Sequence, residues 1–266
     1  MPVDGQHKDV PLRVVFAGGK AVGCGCLKFL LELDTVEVVA VFVNPNDIAP
    51  ARWYPSVTEV ALAHSLSVYA PKSLNAAIEV ERLHHLAPDL MVVAYYDQIL
   101  SRDVFKLPRL GCINVHFALA EEYRGCYPTT WALINGESRT GITIHYITDE
   151  IDAGDIVSQR EVPIVITDTG RTLYDKCTEA GISLFREVLP QVLKGPVQAK
   201  PQVSTKAKYY KRRFPSHEIV FEGDGQAIIN RIRALYFPPF PPPYFYIGDT
   251  KMVIVDEEVL KRLGLP

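Results

Sequence analysis

The sequence predicts an α/β fold: a mostly parallel sheet flanked by helices, with a small β-rich appendage at the C-terminus. Three observations carry this. Short apolar runs recur through the first half, separated by helix-length amphipathic stretches, the pattern of βαβ units with strands buried on both faces. One long apolar stripe at spacings of three and four follows near 169–193. Beyond position 200 the composition turns polar and basic, then aromatic and proline-rich.

Leu12–Ala17 (LRVVFA) and Val36–Val43 (VEVVAVFV) read as buried strands, Asp89–Tyr95 (DLMVVAY) as a third and Gly111–Val115 (GCINV) as a fourth. Helices are expected between them near 22–33, 56–65 and 75–86. Gly141–Ile147 and Asp155–Ile164 add two strands so close in sequence that antiparallel pairing at one edge is expected. Thr169–Leu193 then sets Leu173, Cys177, Ala180, Leu184, Val188 and Val192 on one stripe, suited to covering a sheet face. Thr167 or Asp168 is placed to cap that helix, Gly195 to end it and Pro190 to kink its last turn.

Residues 196–216 gather Lys206, Lys208, Lys211, Arg212 and Arg213 and read first as a solvated linker. Residues 217–255 hold two strand candidates around a helix that includes Ile228, Ile229 and Ile232. Pro238–Gly248 (PPFPPPYFYIG) reads as rigid and extended, because proline fixes φ and removes a donor. A chain of 266 residues suits one large domain plus a small one. The boundary falls near 200, giving domains of 1–200 and 201–266; there is no internal repeat.

Hydrophobic residues make up 48% and charged residues 22% of the chain, which excludes a disordered protein. No apolar run reaches the roughly 18 uncharged residues of a membrane-spanning helix. The opening MPVDGQHKD carries no secretory apolar segment, so a cytoplasmic protein is expected. A net charge of −3 argues against a broad electrostatic grip on nucleic acid. Five cysteines, odd in number and without a C-x-x-C pair, argue against a disulfide framework or a structural zinc site.

After the first strand comes Ala17-Gly18-Gly19-Lys20-Ala21-Val22-Gly23. It lacks the G-x-G-x-x-G spacing, and Val43-Asn44 stands where a ribose-binding acid would end the second strand, so nicotinamide binding is not expected. The stretch reads as a tight strand-to-helix turn that only glycine fits, or as a loop whose backbone N–H groups face another ligand.

Chemistry concentrates in 111–156. Asn114 and His116 lie two apart at a strand end, so period 2 puts both side chains on one face. Such an edge is where α/β sheets bind ligands. Downstream, Asp149, Glu150, Asp152 and Asp155 crowd a turn from which a carboxylate can reach His116. Asn114, His116 and Asp152 can supply an oxyanion donor, an acid/base group and an orienting carboxylate. From spacing alone, a lone strand-end histidine is more often structural.

Five motifs stand in order within this segment: Asn114-Val115-His116; Tyr123-Arg124-Gly125-Cys126-Tyr127-Pro128; Asn135-Gly136-Glu137; Thr140-Gly141-Ile142-Thr143-Ile144-His145; and Asp152-Ala153-Gly154-Asp155-Ile156. Together they resemble the folate-dependent formyltransferase family, strongly over roughly 85–195 and more weakly over 12–84 and 205–255. The resemblance implies a Rossmann-like catalytic domain and a catalytic triad of Asn114, His116 and Asp152. It implies 10-formyltetrahydrofolate as formyl donor and no metal. It also implies a pterin pocket shaped by Tyr96, Gln98 and Ile99, chiefly as backbone positions, and by the turn around 149–153 with Asp149 and Ile151. Where many members read His-x-Ser-Leu-Leu-Pro, this chain reads His116-Phe117-Ala118-Leu119-Ala120-Glu121, without the hydroxyl or the proline.

Three branches of that family differ in acceptor. Transfer-RNA formylation needs a sizeable second domain and a broadly basic surface, and glycinamide-ribonucleotide formylation leaves the segment after 200 unexplained. The YRGCYPTTWAL phrase and the short extension resemble the sugar-nucleotide N-formyltransferases of surface-polysaccharide (O-antigen) biosynthesis. A nucleoside-diphosphate-linked amino sugar, such as dTDP-4-amino-4,6-dideoxyglucose, is then the expected partner, with neither membrane nor nucleic acid involved. Arg52, Trp53 and Tyr54 offer a base-stacking and phosphate-pairing cluster, Lys72 a pyrophosphate contact, and Tyr123 and Arg124 sugar contacts or loop anchors. The C-terminal segment, rich in Tyr236, Phe237, Phe240, Tyr244, Phe245 and Tyr246, is expected to serve a homodimer. The alternatives are a methionyl-transfer-RNA formyltransferase and a non-catalytic folate- or nucleotide-binding protein.

Overall fold

The computed structural model describes residues 10–48, 52–195, 197–203, 207–255 and 257. The opening MPVDGQHKD and Lys206 therefore lie outside the described residues. The chain forms two compact units, one from 1–116, 143–158 and 181–202, the other from 117–142, 159–180 and 203–266.

The elements run β1 (Leu12–Gly18), α1 (Lys20–Leu31), β2 (Val36–Val43), a 3-10 turn (Pro45–Ile48), α2 (Val57–Ala63), β3 (Val68–Tyr69), α3 (Ala77–Leu86), β4 (Leu90–Ala94), α4 (Arg102–Phe105) and β5 (Cys112–His116). There follow β6 (Tyr123–Gly125), α5 (Pro128–Ile134), β7 (Arg139–Tyr146), β8 (Ile156–Pro163), α6 (Gly170–Val192), β9 (Lys208–Tyr210), α7 (Gly225–Leu235), β10 (Tyr244–Ile247) and β11 (Thr250–Val253).

Seven strands form one sheet in the order β3-β2-β1-β4-β5-β7-β8. The pairs among β1 to β5 are parallel, and β7 runs antiparallel to β5. The expected strands and helices of the first half are thus present, and β7 and β8 stand side by side at one edge. Val14–Ala17 and Ala40–Val43 are fully buried and Leu90–Ala94 nearly so, as central parallel strands require. Each such Val, Leu or Phe contributes about 1.5–3 kcal/mol of burial. On one side of these strands Val15, Phe42, Leu74, Leu83, Met91, Val93 and Phe105 form a continuous core.

The strand order reverses between β1 and β4, and an open sheet presents its ligand crevice outside the carboxyl ends at such a switch point. The β1–α1 turn lies there. A Cβ at Gly18 would come 2.6 Å from the Ala94 carbonyl oxygen, so close backbone approach requires that glycine. The left-handed residue, however, is Lys20 with φ 59°, while Gly19 is extended.

Three local expectations are corrected. Helix α6 is capped by Thr169, whose Oγ1 accepts from the Thr172 N–H at 3.2 Å while Thr172 Oγ1 accepts from the Thr169 N–H at 2.9 Å. Asp168 is drawn instead into an ion pair with Lys176 at 2.7 Å. The Pro238–Gly248 stretch opens on a turn closed by the Phe240 N–H and the Phe237 carbonyl, because Phe240 supplies the donor that its proline neighbours lack. Only after that turn do β10 and β11 pair antiparallel. Residues 218–221 contribute a single bridge, Glu218 to Tyr244, and no strand.

The basic stretch read as linker contains β9, paired in parallel with β6. Aromatic stacking explains it: the Tyr210 ring lies 4.5 Å from Trp131 and 5.8 Å from Tyr123. Helix α6 runs through Pro190 to Val192, with Leu173, Cys177, Leu184, Val188 and Val192 of the expected stripe buried. Among the described residues no helix is long and apolar enough to cross a membrane.

Candidate active site

Strand β5 carries Asn114 and His116 to the carboxyl edge of the sheet. Antiparallel register sets Asn114 opposite His145 and His116 opposite Thr143 on β7, so these four side chains share one face. The turn after β7 returns Asp152 in a left-handed conformation, φ 51°. Its Oδ2 lies 3.6 Å from His116 Nδ1, and its Oδ1 lies 3.4 Å from both His145 Nε2 and Asn114 Nδ2. Asn114 Nδ2 also stands 3.3 Å from His145 Nε2. Both histidines are buried, at 7% and 1% exposure. Low dielectric of this kind strengthens each interaction and makes a missing partner costly.

Two devices hold Asp152 in place. Gln202 Nε2 donates to the backbone carbonyls of Asp152 and Gly154, at 2.9 and 2.7 Å. Gly154 permits a close crossing: a Cβ there would sit 1.8 Å from the Tyr146 carbonyl oxygen. The Tyr146 N–H donates to the Asp155 carbonyl, and Ile156 and Lys200 form a bridge beyond it. In the same turn, Asp149 pairs with Arg102 at 3.2 Å, both exposed, and Ile151 is half-buried.

The loop after β4 is braced by three side chains. Asn44 Nδ2 donates to the Tyr95 carbonyl and its Oδ1 accepts from the Asp97 N–H. Gln98 spans to the neighbouring loop, accepting from Leu74 N–H and donating to the Pro71 carbonyl. Asn75 donates to the Ile99 carbonyl. Tyr96 turns its ring into the core, where burial pushes its hydroxyl pKa up, chiefly by desolvation and further by Glu79 and Asp97. Ile99 is 69% exposed, an apolar surface on a rigid loop. A flat heterocycle with hydrogen-bonding edges fits this combination of fixed backbone and apolar side chain.

At the switch point Lys20 Nζ stands over three rings, 4.2 Å from the Tyr95 centroid, 5.4 Å from Trp53 and 5.8 Å from Tyr54. Trp53 and Tyr54 meet edge to face at 5.2 Å. Arg52 pairs with Glu59 on α2. Just beyond, Asp47 Oδ2 accepts from the Ser56 hydroxyl and from the Thr58 N–H and hydroxyl, each at 2.8 Å, and Ser56 caps α2. Lys72 is exposed on the loop after β3.

Tyr123 and Arg124 lie in the second unit. The Tyr123 hydroxyl donates to Glu137 at 2.6 Å and accepts from Asn135 at 2.8 Å; the ring is 3% exposed. Arg124 Nε donates to the Ala120 carbonyl. These contacts hold the loop. Phe117 to Ala120, where the chain lacks the family hydroxyl, are all buried at 5% or less.

Sequence reasoning missed His145, Asn44 and Gln202. His145 stood inside a quoted motif and shares the period-2 face of Thr143, so strand alternation was its signal. Asn44 stands at the end of β2 in the place of a ribose-binding acid and carries no catalytic motif of its own. Gln202 carries no local signal, since its partners are backbone carbonyls distant in sequence. Four cysteines are buried and Cys126 is half-buried; desolvation pushes the Cys24 and Cys177 thiols up to about 12. Among the described residues no group of three or more His, Cys, Asp or Glu side chains could hold a metal ion.

The family model described as formyl transferase matches residues 14–189. The chain is 35% identical over 251 residues to a methionyl-tRNA formyltransferase of Staphylococcus aureus (strain JH1), covering 94% of this chain and 80% of that protein. It is 34% identical over 245 residues to the bifunctional polymyxin resistance protein ArnA of Wigglesworthia glossinidia brevipalpis, covering 91% of this chain but only 37% of that longer protein. Among solved structures it resembles WlaRD, a sugar 3N-formyltransferase crystallised in the presence of dTDP and 5-N-formyl-THF. That match has a TM-score of 0.76 and 25% identity, and covers 92% of this chain and 87% of the other.

Proposed function

The chain belongs to the formyl transferase family, and on that premise we propose that it moves a formyl group from 10-formyltetrahydrofolate to the amine of a nucleoside-diphosphate-linked amino sugar. The convergence of Asn114, His116 and Asp152 at the end of β5 carries this reading. The likeness to a sugar formyltransferase crystallised with dTDP supports the acceptor.

When bound, the folate supplies an activated formyl carbon. The protein's own groups do the rest. His116 turns Nδ1 toward Asp152, and its other ring nitrogen accepts the proton that the attacking amine must lose. Asp152 orients the ring and stabilises its charge. Asn114 donates an amide N–H to the oxygen that gains charge as the new C–N bond forms, worth about 3 kcal/mol by the measure of other oxyanion donors. His116 then returns its proton to the folate nitrogen as the bond between that nitrogen and the formyl carbon breaks.

The braced loop at Tyr96, Gln98 and Ile99, with Asp149 and Ile151, receives the pterin. Trp53 and Tyr54, beside Lys20, stack on the nucleobase, with Arg52 and Lys72 toward the pyrophosphate. Tyr123 and Arg124 shape the sugar end. In this reading the C-terminal segment expected from about 201 onward pairs two copies; the exposed Ile247 and Val253 of the β10–β11 hairpin need such cover. The enzyme works in the cytoplasm, in lipopolysaccharide O-antigen biosynthesis.

A second reading, methionyl-transfer-RNA formylation, is favoured by the 35% identity to the S. aureus enzyme. Thermal shift separates the two. Saturating dTDP with a stable folate analogue, at 100 times Kd, stabilises the fold by about 2.7 kcal/mol per ligand. A shift from the folate analogue alone, with none from any nucleoside diphosphate, overturns the sugar reading.

A further inference from the structure

His145 has a task that the three-residue mechanism leaves unassigned. It lies opposite Asn114 in the β5–β7 ladder and is 1% exposed. Its Nδ1 stands 2.9 Å from the Tyr146 carbonyl, which can only accept. The ring proton therefore sits on Nδ1 and, in the neutral imidazole, Nε2 is left as an acceptor. That acceptor faces Asn114 Nδ2 at 3.3 Å, beside Asp152 Oδ1 at 3.4 Å. Without a hydrogen between them, the Nε2 lone pair and the carboxylate oxygen would repel. One Asn114 Nδ2–H, shared between Nε2 at 3.3 Å and Oδ1 at 3.4 Å, supplies that hydrogen and leaves the other N–H of the amide to point away from both.

We propose that His145 is a positioning residue for formyl transfer: by accepting from Asn114 through Nε2 it fixes which end of the carboxamide is nitrogen and directs the second N–H toward the substrate oxygen. A carboxamide rotates by half a turn at little cost in open solvent, and a flipped Asn114 would present an oxygen where a donor is needed. Asp152 alone holds the amide less securely, since its other oxygen is committed to His116. His145 is anchored instead by a backbone carbonyl on its own strand.

This inference rests on Asn114 being the oxyanion donor, and its test separates the two. Nitrogen NMR of the ring in the intact enzyme reads the tautomer without any activity. A proton on Nδ1 alone is expected; a proton on Nε2, in a neutral or a doubly protonated ring, overturns the proposal. Kinetics give the second readout. His145→Leu is expected to lower kcat about 30-fold with KM for both substrates within about threefold, and His145→Gln, which keeps an acceptor, to recover most of the loss. In an Asn114→Ala background the same His145→Leu change is expected to cost less than about threefold, because its target is gone. An equal cost in both backgrounds overturns the proposal and makes His145 merely structural. If His145→Leu does not fold, the tautomer decides alone. A wild-type enzyme that formylates no amine would refute the functional reading and leave the tautomer result standing.

Discussion

Asp152 Oδ2 stands 3.6 Å from Nδ1 of His116, although the two residues come from different elements, the end of β5 and the turn after β7. On the proposed roles, the carboxylate at that separation orients the ring and stabilises its positive charge. Asp152→Asn keeps the shape and removes the charge. It is expected to lower kcat by about 10² to 10⁴, as is His116→Asn, and the pair together no further than the worse single change. Steady-state kinetics on folded variants check this; additive losses would mean the two do not act as a unit.

On the proposed roles, Asn114→Ala removes the donor for the developing oxyanion. A loss of about 10² to 10³ in kcat is expected, with KM for both substrates little changed, because the interaction strengthens only in the transition state. A rise in KM at constant kcat would instead make Asn114 a ground-state contact.

Gln202 and Gly154 hold the turn that carries Asp152. Gln202→Ala removes two hydrogen bonds to the turn and is expected to cost about 1–2 kcal/mol of stability and about tenfold in kcat. Gly154→Ala drives a Cβ into the Tyr146 carbonyl and is expected to cost more on both counts. Denaturant melts and kinetics on the same preparations read both effects; unchanged kcat in Gly154→Ala would show that the turn does not set the Asp152 geometry.

Asp168 predicts a pH dependence of stability away from the site. Burial alone would raise its carboxyl pKa, but hydrogen bonds from Lys176, the Val165 N–H and Thr172, with the Lys176 charge, outweigh burial and hold it below the usual carboxylate range. A folded pKa below the unfolded value near 3.9 means stability that is present above that pH and lost as pH falls through the folded pKa. Asp168→Asn is therefore expected to lose about 2 kcal/mol at pH 7, with the gap to wild type closing below about pH 4. Melts from pH 7 down to pH 3 check the sign.

The fold was legible where burial on both faces leaves an uninterrupted apolar run, as in β1, β2 and β4, and where a period of two or 3.6 singles out one face, as in Asn114 with His116 and along α6. It was not legible where tertiary contacts outvote local pattern. Tyr209 and Tyr210 sit in a basic stretch that reads as linker, yet aromatic stacking on Trp131 makes a strand of it. Asp168 looked like a helix cap until Lys176 claimed it. Within the site, motif spacing brought forward the two residues on β5, Asn114 and His116, together with Asp152. The surrounding side chains, Gln202 on the Asp152 turn, His145 facing Asn114 and Asn44 on the loop after β4, reach their partners across gaps in sequence that no local period spans.

The acceptor is the claim that most needs measuring. The purified chain should be given 10-formyltetrahydrofolate with, in parallel, a dTDP-linked amino sugar and methionyl-transfer RNA, and kcat/KM measured for each by product mass. The account predicts formylation of the sugar amine at least about 10²-fold more efficiently than of the charged RNA, a difference of about 2.7 kcal/mol in transition-state binding. Preferential formylation of methionyl-transfer RNA would contradict it, leaving the family and the roles of Asn114, His116 and Asp152 in place while replacing the substrate.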